Sequence, residues 1–110
     1  MSAQHTPGPW FPLFEQEDDF DGIRIEAWGR EDFVEVANVP VDYDDREQRE
    51  ANARLIAAAP ELLAVCRAMI PRNICLNNGN VRDDLVVPLD VTMGELRRVA
   101  AAIAKAEGRA

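Results

Sequence analysis

Ten carboxylates of this 110-residue chain fall in two short segments. Glu15, Glu17, Asp18, Asp19 and Asp21 form the first, and Asp42, Asp44, Asp45, Glu47 and Glu50 the second. Charge of one sign at this density repels nucleic acid and attracts basic surfaces. Carboxylates spaced along a surface also compete with phosphates for Arg and Lys grooves, the contact that dominates nucleic-acid affinity. The competing reading makes both segments ordinary solubilising surface. Acid–base catalysis by paired carboxylates needs an apolar pocket that separates their pKa values, and charge runs do not supply one. A calcium loop at Asp18-Asp19 fails too, because the twelve-residue ligand pattern with its terminal Glu is absent. Trp10, Trp28, Asn52 and Arg54 form a different set. An indole stacks a base, Arg holds a phosphate and Asn reads a base edge, which describes a nucleotide-binding site. The alternative places both Trp residues in the core. It bonds Asn52 to neighbouring backbone and pairs Arg54 with Glu50 or Glu61.

Other catalytic chemistry lacks its parts. His5 is the one histidine, in a Pro-rich segment, and Ser2 is the one serine, so Ser-His-Asp catalysis is excluded. Cys66 and Cys75 with a single His give no zinc-ligand spacing. Both thiols are expected to be free in a reducing compartment, and Cys66, within an apolar helical pattern, to be buried and inert. Gly22, Gly29 and Gly79 form no phosphate-cradling loop. The expectation is a non-enzymatic protein with no cofactor and no metal.

The charge is divided along the chain. Residues 1–50 hold 14 acids against 4 bases, a net of −10, and residues 51–110 hold 6 acids against 8 bases, a net of +2, which gives −8 in all. Hydrophobic residues make up 47%, enough for one modest core, so a single domain over residues 1–110 is expected. No apolar run is long enough to span a membrane, and the start lacks the basic-then-apolar pattern of a secretory signal.

These residues must be positioned by a few short elements. Residues 1–14, with Pro7, Pro9 and Pro12, cannot be a helix or a central strand. Their apolar Trp10, Phe11, Leu13 and Phe14 predict a segment packed on the domain. Ile23–Trp28 alternates apolar and polar residues, and Phe33–Val39 is rich in β-formers, so the turn Gly29–Asp32 joins an antiparallel hairpin. Asp44 with Glu47, or Asp45 with Gln48, has the capping-box spacing for a helix from about Arg46 to Ile70. Leu55, Ile56, Ala59, Leu62, Leu63, Cys66 and Ile70 form its apolar stripe, and Pro60 predicts a kink or a break. Ile74–Leu76 and Leu85–Val87, around Asn78-Gly79, suggest a small second hairpin. Thr92 with Glu95 caps a last helix, with Leu96, Val99, Ala100 and Ile103 on one face and Gly108 as its stop. Leu55, Ile56, Leu62 and Ile103 are the expected core. The fold class is α+β: a small N-terminal antiparallel sheet packed by two or three helices, the central one kinked or broken at Pro60.

Two phrases carry a resemblance. His5-Thr6-Pro7-Gly8-Pro9-Trp10 and Asn52-Ala53-Arg54-Leu55-Ile56-Ala57-Ala58-Ala59-Pro60-Glu61-Leu62-Leu63 resemble a large family of small phage and prophage proteins. A looser likeness runs to lambdoid early proteins of the Ead type, which carry a TPGPW start and a similar Ala-rich helix. The resemblance implies a viral setting in the host bacterial cytoplasm. Small phage proteins commonly act on host systems by binding them. The expected function is therefore an accessory protein that binds and inhibits a host macromolecule, an anti-defence role like that of anti-CRISPRs, with the acidic surface as its contact. One alternative is a sponge that sequesters a nucleotide defence signal. Another is a regulatory or structural phage accessory protein. The expected partner is a host protein or nucleoprotein complex with a basic surface, without direct nucleic-acid or membrane binding. A homo-oligomer is compatible with the sequence.

Overall fold

The computed structural model describes residues 4–14, 22–40, 46–71 and 76–109. Three strands, β1 (Trp10–Leu13), β2 (Gly22–Trp28) and β3 (Phe33–Pro40), precede three helices, α1 (Arg46–Ala57), α2 (Ala59–Met69) and α3 (Met93–Glu107). The strands form one antiparallel sheet in the order β1-β2-β3, so the α+β class and the N-terminal sheet stand as expected. Pro12 pairs with Ile25 on the edge strand, where a missing N–H need not interrupt a ladder. The hairpin closes through Gly29–Asp32, with Gly29 N–H donating to the Asp32 carbonyl at 2.7 Å. Ile25 pairs with Ala37 and Glu26 with Glu35, leaving Val36 as the extra residue of a bulge.

Alternation along β2 buries Ile23, Ile25 and Ala27 on one face. Ile23, Ile25 and Val39 meet Ala53 and Ala57 of α1, with Trp10, Phe14, Ala37 and Ile56 packed around them. Helix α1 also touches α2 and α3, so it is the middle of the structure. The small side chains of Ala53, Ala57, Ala58 and Ala102 are buried and let these elements approach closely.

The predicted break falls at Ala58, two residues before Pro60. A proline ring collides with the carbonyl four residues back, so the disturbance precedes it, and Pro60 itself sits in the first turn of α2. Ala58 N–H donates to the Arg54 carbonyl at 3.0 Å and to the Leu55 carbonyl at 3.2 Å, which keeps the two helices nearly continuous. Both predicted caps of α3 are present. Thr92 Oγ accepts from Glu95 N–H at 3.1 Å. Gly108 has φ 74°, and Arg109 N–H donates to the Ala104 carbonyl at 2.8 Å, the Schellman pattern that a glycine favours. The candidate caps Asp44 and Asp45 lie outside the described residues.

The expected core is corrected. Leu55 is 55% exposed and Ile103 is exposed, while Ile56 and Leu62 are only half-buried. Leu55 lies two residues from Ala53 and Ala57, and at about 100° per residue it points away from the sheet. Helix α3 buries Ala102, half-buries Glu95, Val99 and Ala106 on the same stripe, and leaves Met93, Leu96, Ala100 and Ile103 in solvent. Cys66 is likewise exposed rather than buried, and Cys75 lies outside the described residues. The second hairpin is corrected too. Residues 76–92 contain turns but no strand, and the start of that predicted hairpin lies outside the described residues. An Asn-Gly turn needs flanking strands with a buried face, and every residue from 76 to 90 is exposed.

Ile25 is the one large side chain among the described residues that is fully buried. Ile25→Ala is expected to cost about 2–5 kcal/mol in urea denaturation. Leu55→Ala should stay within about 0.5 kcal/mol of the parent. Reversed magnitudes would place the core on the other face of α1.

Candidate functional site

Helix α1 covers the inner face of the sheet, and among the described residues no helix covers the outer one. Outward positions follow from the register: Phe11 and Leu13 on β1, Arg24, Glu26 and Trp28 on β2, and Phe33, Glu35 and Asn38 on β3. Trp28 and Phe33 are paired across the hairpin, with ring centroids 4.8 Å apart and planes at 79°. This edge-to-face contact holds both rings in one orientation. Yet Trp28 remains 59% exposed and Phe33 51%, and Phe11 is exposed beside them. Trp28 is thus corrected from core to surface.

Glu26 lies opposite Glu35, with Phe11 on its other side. Arg24 stands two residues from Glu26 on the same face of β2, so that face carries a guanidinium beside its two carboxylates. Together Phe11, Trp28 and Phe33 with Glu26, Glu35 and Arg24 make an aromatic patch with charged neighbours. Aromatic side chains are enriched among the anchors of protein interfaces. Sequence reasoning missed Phe11, Glu26, Phe33 and Glu35. The signal was available in the hairpin: a four-residue turn sets Trp28 opposite Phe33, and alternation then aligns the glutamates.

The predicted acidic residues divide. Glu47 is exposed and Glu50 half-buried on α1. Glu50 Oε1 accepts from Arg46 Nε at 3.1 Å, and Glu50 Oε2 lies 3.9 Å from Arg54 Nη2. Glu15, Glu17, Asp18, Asp19, Asp21, Asp42, Asp44 and Asp45 lie outside the described residues. Gly22 and Pro40, which flank the two segments, pair with each other at one end of the sheet.

The other predicted set does not converge. Trp10 pairs with Ala27 on the inner face, whereas Trp28 is on the outer one. Trp10 Nε1 donates to the Thr6 carbonyl at 3.0 Å, and His5 meets the indole edge-on. Beside it, a Cβ on Gly8 would come within 2.8 Å of Pro60 Cβ, so the two sequence phrases touch. Arg54 is clamped between three elements. Its guanidinium lies over the Phe14 ring at 5.1 Å, and a Cβ on Gly108 would fall 2.6 Å from its Cδ. The expected pairing with Glu50 is present, while Glu61 instead accepts from Lys105 Nζ at 2.7 Å, joining α2 to α3. Asn52 is exposed on α1. Among the described residues no group of His, Cys, Asp and Glu could hold a metal ion, and no helix is long and apolar enough to cross a membrane.

The family model described as Salmonella phage P22 protein Y8K6 matches residues 1–110. The chain belongs to this phage protein family. No curated protein and no solved structure matches it. Membership in the Y8K6 family supports the phage setting inferred from the two phrases. In this chain those phrases form one packed unit, with Trp10 and Gly8 on the N-terminal segment and Pro60 and Arg54 on the helices.

Trp10→Ala should lower the melting temperature and speed amide exchange in residues 4–14, with or without a nucleotide present. Arg54→Ala should also lower the melting temperature. Parent-like melting of both variants, together with lost nucleotide binding, would make this cluster a ligand site.

Proposed function

We propose that this member of the Y8K6 family is a non-enzymatic accessory protein that binds and inhibits a host macromolecule with a basic surface. The carrying observation is the open sheet face, where Glu26 opposes Glu35 between the exposed aromatics Phe11, Trp28 and Phe33. Two carboxylates placed opposite each other on a sheet face suit a cationic partner. The net charge of −10 over residues 1–50 adds long-range attraction to such a partner. Trp28 and Phe33 supply the apolar anchor that charge alone lacks. A host protein or nucleoprotein complex built to hold nucleic acid presents the matching Arg and Lys surface, and blocking it is an anti-defence role. The sponge reading draws less support, because Trp10, Trp28, Asn52 and Arg54 are divided between opposite faces of the sheet and α1.

The test compares capture of host proteins by the parent, by Trp28→Ala and by the pair Glu26→Gln with Glu35→Gln, across a salt series. Trp28→Ala should reduce capture at all salt concentrations. The glutamine pair should reduce it mainly at low salt, where screening is weakest. Replacing Glu17, Asp18, Asp19 and Asp21 by amides should flatten the salt dependence with little change in melting temperature. A partner captured equally by all four proteins would reject this surface.

A further inference from the structure

The hairpin end of the outer sheet face holds two rings and two carboxylates in one register. Trp28 pairs with Phe33, and Glu26 pairs with Glu35 two residues along on the same face. The rise along a strand and the spacing across a pair set these four side chains at the corners of a rectangle of roughly 5 by 7 Å. The bulge at Val36 lies beyond it, so the ladder between the two pairs is regular. The indole and the phenyl ring meet at 79° with centroids 4.8 Å apart, which makes a nearly right-angled aromatic corner. Both rings are more than half exposed, so the corner is accessible to a ligand.

Charge narrows what can enter. Residues 22–40 hold Glu26, Glu31, Asp32 and Glu35 against Arg24 and Arg30, a net of −2. Glu31 and Asp32 belong to the turn that follows Trp28, so acids flank the corner on both sides. Arg24 is two residues beyond Glu26, on the side away from the indole. An aromatic face attracts a cation through the ring quadrupole, and a carboxylate beside it attracts the same cation. Among side chains, arginine satisfies both at once. Its planar guanidinium stacks on a ring and presents the N–H groups of its edge to a carboxylate. An ammonium is a compact, strongly hydrated charge with no plane to stack. The chain uses the same chemistry internally: Arg54 lies 5.1 Å from the Phe14 ring centroid and 3.9 Å from Glu50.

We infer that the Trp28–Phe33 corner, with Glu26 and Glu35, takes an arginine side chain of the partner protein. The guanidinium lies against the aromatic corner and donates to Glu35, the more exposed of the two carboxylates. This rests on the host-binding reading of the sheet face and specifies it: the basic surface is read through an arginine rather than through positive charge alone. A lysine-rich surface of equal charge is therefore a poorer partner.

Titrating the isotope-labelled full chain with octa-arginine and with octa-lysine tests this at equal peptide length and charge. The two tryptophans give two indole N–H signals in the nuclear magnetic resonance spectrum. Trp10, which donates to the Thr6 carbonyl on the inner side, serves as the control. Octa-arginine should shift the Trp28 signal, leave the Trp10 signal in place, and bind roughly fivefold or more tighter than octa-lysine. Trp28→Ala should abolish that preference, with an unmoved Trp10 signal reporting an intact fold. Glu35→Gln should weaken octa-arginine more than octa-lysine. Equal affinity of the parent for the two peptides would overturn the arginine site, as would a preference that survives Trp28→Ala. The outcomes also separate this site from host binding. Host capture that falls in Trp28→Ala, with both peptides bound alike, overturns the arginine site and leaves the host-binding reading in place. A preference lost in Trp28→Ala, with host capture unchanged, supports the arginine site and rejects that reading.

Discussion

Ala53 and Ala57 carry almost no side chain, and this allows α1 to press against Ile23, Ile25 and Val39 of the sheet. The rest of the structure hangs on that contact. Helix α1 touches all three strands and both other helices, so a larger residue at either position would separate every layer at once. The close approach replaces bulk in the core: alanines fill it, and Ile25 is its one large fully buried member among the described residues. A core built this way buries little apolar area and leaves little stability to spare. The weak surface pair of Lys105 and Glu61, about a third exposed on each side, adds roughly 0–1 kcal/mol and cannot substitute for it.

Contacts around α1 then explain why the N-terminal segment is fixed. Trp10 packs beside the core and bonds back to Thr6, while Gly8 fits under Pro60 only because it lacks a Cβ. Arg54, in the last turn of α1, adds a second contact close by. Its stem lies on Gly108, whose left-handed backbone ends α3, and its guanidinium covers Phe14. The junction of α1 and α2 therefore gathers both the first described residues and the last. Arg54 looked like a phosphate ligand in the sequence, but a guanidinium occupied by an aromatic ring, a carboxylate and a helix end is already engaged.

Much of this was legible in the residues. Alternation gave β2, the Gly29–Asp32 turn gave the hairpin, Pro60 gave the helix break, and Thr92 with Gly108 bounded α3. The errors share one physical cause. Leu55, Cys66 and Ile103 are expected inside because large apolar residues at a regular spacing normally face a core. Periodicity reports that a face is apolar, not what covers it. Here the layers close over alanines, which carry no pattern of their own. The outer sheet patch was missed for the opposite reason. Glu26 and Glu35 looked like ordinary solvated positions until the register set them opposite each other.

The division of charge sets the two halves of the chain apart. Residues 1–50 carry a net of −10 and residues 51–110 a net of +2. The acidic half is the half that supplies the sheet, and the nearly neutral half supplies α2 and α3. The outer sheet face thus joins exposed aromatics to a surplus of negative charge, the combination on which the proposed contact with a basic partner rests. Apolar anchors without that charge would not select a basic partner, and charge without the anchors would fade as salt screens it.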